Sequence, residues 1–68
     1  MSYRICVTRK NGDRETELEI HRGSLPMVGD EVVVDLRSGP VKARVGSLHL
    51  PLPKEGGRVV AEVEANEI

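Results

Sequence analysis

Leu25-Pro26-Met27-Val28-Gly29-Asp30-Glu31-Val32-Val33-Val34-Asp35 is the stretch on which the reading of this chain turns. Pro26 and Gly29 punctuate a turn, because proline presets one backbone angle and glycine tolerates conformations that other residues avoid. Asp30-Glu31 is the polar exit from that turn. Val32-Val33-Val34 is the most strand-prone run in the sequence, since β-branched side chains pack well on a pleated surface. A hairpin-like segment lies on either side of it.

Upstream, Tyr3, Ile5 and Val7 alternate with Arg4, Cys6 and Thr8, the period of a strand with one apolar face. Asn11-Gly12 follows, a strong hairpin signal. Arg14 to Arg22 then alternates again, with Thr16, Leu18 and Ile20 on one face and Glu15, Glu17, Glu19 and His21 on the other. With Asn11-Gly12 as a two-residue loop, Val7 faces Thr16, Ile5 faces Leu18 and Tyr3 faces Ile20, while Arg4 meets Glu19 on the polar side. The same register sets Arg9 opposite Arg14 near the tip, where solvent screens the repulsion.

Downstream, Val32, Val34 and Leu36 form the inner face of the central strand. Ser38-Gly39 turns the chain, and Val41, Ala43 and Val45 return along it. This pairs Leu36 with Val41, Val34 with Ala43, Val32 with Val45 and Asp35 with Lys42. Pro40 lacks an N–H to close a two-residue turn, which predicts a wider loop. At Gly46 the apolar phase changes to Leu48, Leu50 and Leu52, as a bulge or a barrel corner requires. Pro51 and Pro53 confine the end of that segment to an edge or loop, and Lys54-Glu55-Gly56-Gly57 reads as a turn. Arg58 to Ala65 is a last strand with Val59, Ala61, Val63 and Ala65 inward.

The whole chain, residues 1–68, reads as one small domain. Its apolar side chains are mainly Val, Leu and Ile, with Tyr3 as the one aromatic residue. Ordering a chain of this length costs on the order of 100 kcal/mol of conformational entropy, which a thin aliphatic core only just offsets. One cysteine cannot form an intrachain disulfide, and no Cys/His set has zinc spacing. Association with another copy or another protein is the remaining source of stability, so a homo-oligomer is expected. A net charge of −1 and a pI of about 6.1 do not single out nucleic acid or an anionic membrane as partner. The longest apolar run is three residues, too short for a membrane span. The opening residues carry no signal-peptide core, and a lone thiol suits a reducing compartment, which together predict the cytoplasm.

Pro26-Met27-Val28-Gly29-Asp30-Glu31-Val32-Val33-Val34 resembles the Pro-x-x-Gly-Asp-x-Val strand entry of small SH3-like barrels. The likeness covers nine residues and implies fold alone, since such barrels host unrelated functions. The aromatic groove that peptide-binding SH3 domains use for polyproline has no counterpart in a chain with one aromatic residue. Val7-Thr8-Arg9-Lys10 and Gly29-Asp30-Glu31-Val32 are also similar to segments of carbon storage regulators, small dimeric RNA-binding β proteins. The spacing between the two segments is longer here, and the chain ends in a strand pattern where that family has a helix.

Candidate chemistry is sparse. Glu15, Glu17, Glu19 and His21 lie along one face, but residues two apart on a strand are roughly 7 Å apart, too far for three to share an ion unaided. The plainer reading is a solvated face. Cys6, set opposite Glu17 on the polar face, has the wrong neighbour for a nucleophile. His49 reads as an edge histidine. No catalytic residue, cofactor or metal is implied.

The sequence thus predicts an all-β fold: a five-stranded antiparallel barrel, SH3-like, with OB-like or sandwich alternatives. The expected function is a non-catalytic assembly or protein-binding module, with Leu48, Leu50, Leu52, Val33 and Val60 as an exposed apolar patch for the partner. The alternative is RNA or DNA binding through Arg9, Lys10, Arg14, Arg37, Lys42 and Arg44, if these gather on one surface.

Overall fold

The computed structural model describes residues 2–49 and 60–68. These form six strands: β1 (Ser2–Thr8), β2 (Arg14–Thr16), β3 (His21–Arg22), β4 (Glu31–Leu36), β5 (Gly39–His49) and β6 (Val60–Glu67), with no helix among the described residues. They build one sheet in the order β2-β1-β6-β5-β4, and β3 continues beside β2 along the outer edge of β1. The sheet curls into a half-barrel, so the fold is all-β and barrel-like.

The arrangement departs from a purely antiparallel barrel at one place. β1 and β6 run parallel along their length, from Ser2–Val60 to Thr8–Asn66. Alternation alone does not distinguish the two pairings, because parallel and antiparallel neighbours share the same two-residue period. β6 is consequently an interior strand, flanked by β1 and β5, and its core face is lined by Ala61, Val63 and Ala65, all buried. The one long strand expected after the first turn is also split in two, giving six strands where five are predicted.

The first hairpin corrects the expected register by one residue. Cys6 pairs with Thr16, Val7 with Glu15 and Thr8 with Arg14. Asn11-Gly12 alone does not form the loop. Gly12 N donates to Arg9 O at 2.9 Å, Arg9 N donates to Asp13 O at 2.6 Å, and Gly12 alone in this loop has positive φ, +95°. This is a three-residue loop, Lys10-Asn11-Gly12, with glycine in the bulge position. A slip of one residue moves every side chain to the other face. Glu17 is therefore the buried residue, at 5% exposure, while Leu18 and Ile20, expected inside, point out. Beyond Thr16 the strand leaves β1 and rejoins it in a new register, Tyr3–His21 and Ser2–Arg22. Arg4 accordingly lies beside Glu62 of β6 and not beside Glu19.

The second hairpin slips by two residues, to Val34–Val41, Val32–Ala43 and Leu36–Gly39. An even slip leaves the faces unchanged, so Val34, Leu36, Ala43 and Val45 are buried as expected. The loop closes around the two residues Arg37-Ser38, one residue earlier than predicted, and Pro40 does not widen it as expected. Pro40 sits in the ladder opposite Asp35. Its nitrogen is turned away from β4, because the bonds of Val45 to Gly29 and Asp30 place the odd-numbered residues of β5 toward that neighbour. On the other side β6 reaches only as far as Lys42, which accepts from Ile68 N at 3.0 Å, so the missing donor disrupts no bond.

The decisive turn docks on the same strand. Gly29, at φ +95°, donates to Val45 O at 2.8 Å, and Val45 N donates to Asp30 O at 2.9 Å. Two turn residues thus oppose one on β5, a glycine bulge. Asp30 also accepts from Met27 N at 3.0 Å, which fixes the turn. The predicted irregularity at Gly46 is present as a register shift against β6 between Val45 and Ser47. A Cβ at Gly46 would lie 3.3 Å from Asn66 Nδ2. With bulges on both its sides at Val45-Gly46, the long β5 bends, and this is what curls the sheet. The concave face holds a core whose largest fully buried side chains are four valines, Val7, Val34, Val45 and Val63.

Candidate interaction surface

The curled sheet has two edges. Along β2–β3 the edge is broken: Glu17 N donates to Ile5 O at 3.0 Å, while its carboxylate turns back to accept from Ile5 N at 2.8 Å. Its other oxygen lies 2.8 Å from His21 Nε2, and the His21 ring stacks on Tyr3 with centroids 5.0 Å apart. The glutamate of the expected acidic row is therefore a structural plug. It holds the bulge by taking two partners in a site that excludes water. Among the described residues no three Asp, Glu, His or Cys side chains converge in a way that could hold a metal ion.

The β4 edge is different. It is six residues long, contains neither proline nor bulge, and has β5 as its one strand partner among the described residues. Exposed apolar side chains adjoin it. Val33 is 65% exposed on its outer face, and the turn leading into it carries Met27 at 71% and Val28 at 61%. Val33 is opposite Lys42, and Lys42 in turn is bonded to Ile68, so Val33, Lys42 and Ile68 form a row across the convex face. At the far end of β4, Arg37 lines a cleft of about 300 Å³ with Glu15, Thr16 and Leu18. Leu18 is itself 66% exposed.

The predicted apolar patch is not brought together at one place. Leu48 is opposite Val63, on the core face at its exposed rim, whereas Val33 is on the convex face. Val60 is half-buried at the start of β6, eight residues from Ile68, roughly 26 Å along the strand from the level of Val33. Leu50 and Leu52 lie outside the described residues.

The basic residues are likewise dispersed, and three are occupied. Arg9 Nε donates to Glu67 Oε1 at 3.0 Å, and its Nη1 reaches Ser38 Oγ at 2.9 Å and Glu15 at 3.4 Å. Ser38 also donates to Glu15 at 3.1 Å. These contacts tie the first hairpin to the β4–β5 turn and draw the two edges together at that end. The Arg9 guanidinium, with the Lys10 N–H, holds the Glu67 carboxyl below the usual carboxylate range. Arg14 does not oppose Arg9. It donates to both Glu64 oxygens, at 2.6 and 2.7 Å, and this pairing raises it above the usual guanidinium value. Arg44 meets Glu31 at 3.1 Å. Arg37, Lys42 and Lys10 have no ion pair among the described residues.

Cys6 faces a guanidinium and not a carboxylate: Arg14 Nη2 is 3.4 Å from its sulfur. The two residues share a groove of about 370 Å³ with Arg4, Thr16 and Glu62. Arg4 Nε is buried there without a hydrogen-bond partner. His49 is at the exposed end of β5, 3.4 Å from Ser47 Oγ. What the sequence reading missed was the difference between the two edges. The signal for it was present in the uninterrupted Val32-Val33-Val34 run, set against the split strand of the first hairpin.

No family model, curated protein or solved structure matches this chain. No helix among the described residues is long and apolar enough to cross a membrane.

Proposed function

We propose that this chain is a non-catalytic assembly module that binds a protein partner, in the first instance another copy of itself. The observation that carries the reading is the concentration of large exposed apolar side chains beside the β4 edge, on a domain whose core, among the described residues, buries nothing larger than valine completely. A core of that size leaves a small margin of stability, and burying Val33, Met27 and Val28 against a partner adds to it. The lone thiol, Cys6, is consistent with a reducing compartment, and the cytoplasm is the setting this reading assumes.

Sedimentation velocity over a hundredfold range of protein concentration tests the reading. A concentration-dependent shift to a larger species is expected. A single monomeric boundary throughout removes self-assembly. Nucleic-acid binding is the alternative, and the capture of Arg9, Arg14 and Arg44 by carboxylates counts against it. Salt-dependent retention on a nucleic-acid column at low ionic strength would restore it.

A further inference from the structure

We propose that Asn11 is a modification site: its side chain converts to aspartate and isoaspartate through a cyclic imide, at a rate set by opening of the Lys10-Asn11-Gly12 loop. Such a site operates in a monomer and in an assembly alike, and so goes beyond the reading above. The Asn-Gly pair that shapes the first hairpin has no part in the candidate surface.

Asn11 and Gly12 both lie exposed at the hairpin tip. Cyclisation joins the two. The Gly12 backbone nitrogen gives up its proton to hydroxide and attacks Asn11 Cγ. The N–Cγ bond forms as the Cγ–Nδ2 bond breaks, and Nδ2 leaves as ammonia with a proton from water. Water then opens the imide at either carbonyl. Opening at Cγ gives aspartate. Opening at the Asn11 main-chain carbonyl gives isoaspartate, with one extra carbon in the backbone. The whole conversion consumes water and releases ammonia. Glycine hinders the attack less than any other following residue, because it carries no Cβ. The loop requires it there, since Gly12 has φ +95°.

Three bonds restrain the pair in the folded chain. Gly12 N donates to Arg9 O at 2.9 Å, so the proton that must leave is engaged. Asn11 Oδ1 accepts from Asp13 N at 2.9 Å. Asn11 Nδ2, the leaving nitrogen, donates to Asp13 Oδ2 at 3.1 Å. Asp13 therefore holds both ends of the side-chain amide, in an Asx turn closed a second time by its own carboxylate. Proton removal from a bonded amide waits for local opening, as amide exchange does. The folded loop is thus a brake on a reaction that its sequence favours.

Conversion acts beyond the tip. Lys10 N donates to Glu67 Oε1 at 2.9 Å, and Arg9 Nε donates to the same oxygen at 3.0 Å. An aspartate product sets a second carboxylate against Asp13 Oδ2, in place of the amide donor. An isoaspartate product lengthens a loop that Arg9 N closes on Asp13 O at 2.6 Å. Either product loosens the loop that presents the Lys10 N–H to β6.

The full chain, held at mildly alkaline pH and followed by peptide mapping with mass spectrometry, tests this. The folded wild type is expected to convert at least about tenfold more slowly than the same chain in concentrated guanidinium chloride. Asp13→Ala removes the carboxylate that holds Nδ2 and is expected to convert about threefold faster than the folded wild type. In the isoaspartyl form, separated by chromatography, the Lys10 amide is expected to exchange at least about tenfold faster than in fresh protein. No product at position 11 in denaturant would remove the site. Equal rates in buffer and in denaturant, or in the folded wild type and Asp13→Ala, would overturn the control by the loop. An unchanged Lys10 exchange rate would overturn the link to β6. Should Asp13→Ala lose its circular dichroism spectrum, the ratio of folded to denatured rates decides alone.

Discussion

The same alternation rule applies to both hairpins, and the structure shifts both of them from the register it predicts, one by a single residue and the other by two. The consequences are opposite. In the first hairpin Val7 meets Glu15 where Thr16 was expected, and the intended inner face of the returning strand is turned to solvent. In the second, Val34 meets Val41 where Ala43 was expected, and Val34, Leu36, Ala43 and Val45 stay buried, with Val32 and Val41 half-buried beside them. A strand repeats every two residues, so an even slip preserves its faces and an odd slip inverts them. The difference lies in what each face could tolerate. β4 and β5 carry valine and alanine at alternate positions, which fixes their parity strongly. The returning strand of the first hairpin offers Thr16, Leu18 and Ile20 against Glu15, Glu17 and His21. There, a glutamate that satisfies Ile5 N and His21 together takes the inner position.

The largest test of this contrast is charge insertion on β4. Val34→Asp buries an unpaired carboxylate and is expected to cost on the order of 3 kcal/mol or more, while Val33→Asp should stay within about 0.5 kcal/mol. Thermal unfolding by circular dichroism in dilute solution reads both. Equal losses would mean that the faces of β4 are not distinguished.

A smaller effect, of opposite logic, is expected in the first hairpin. Glu17→Ala leaves the Ile5 N–H without its acceptor and should cost about 1–3 kcal/mol. Leu18→Ser, at an exposed site, should cost less than about 0.5 kcal/mol. A chain in which the leucine mattered and the glutamate did not would restore the register expected from sequence.

The smallest effect concerns the contact that joins the first hairpin to β6. Glu67 is held below the usual carboxylate range by Arg9 and Lys10. Its folded value is depressed, so its contribution is present above the unfolded carboxylate range and is lost as pH falls through the lowered value. Acid titration of the melting temperature should show this loss, and Glu67→Gln should flatten the curve on its acid side. A Gln variant with the wild-type acid profile would show that the Arg9–Glu67 pair does not hold the first hairpin to β6.

Alternation, glycine placement and the valine run determined that this chain is all-β, that β4 and β5 form a hairpin with Val34, Leu36, Ala43 and Val45 inside, and that the ladder breaks at Gly46. Each of these follows from a preference of neighbouring residues, which a linear reading contains. The tertiary structure alone decided the parallel seating of β6 beside β1, the inversion of the first hairpin and the dispersal of Leu48, Val33 and Val60. Those outcomes depend on which distant groups satisfy one another, as Glu17 does for Ile5 and Glu67 for Arg9. No local pattern contains that information, because a buried backbone N–H donates equally well to any acceptor of the right geometry, wherever in the sequence it originates.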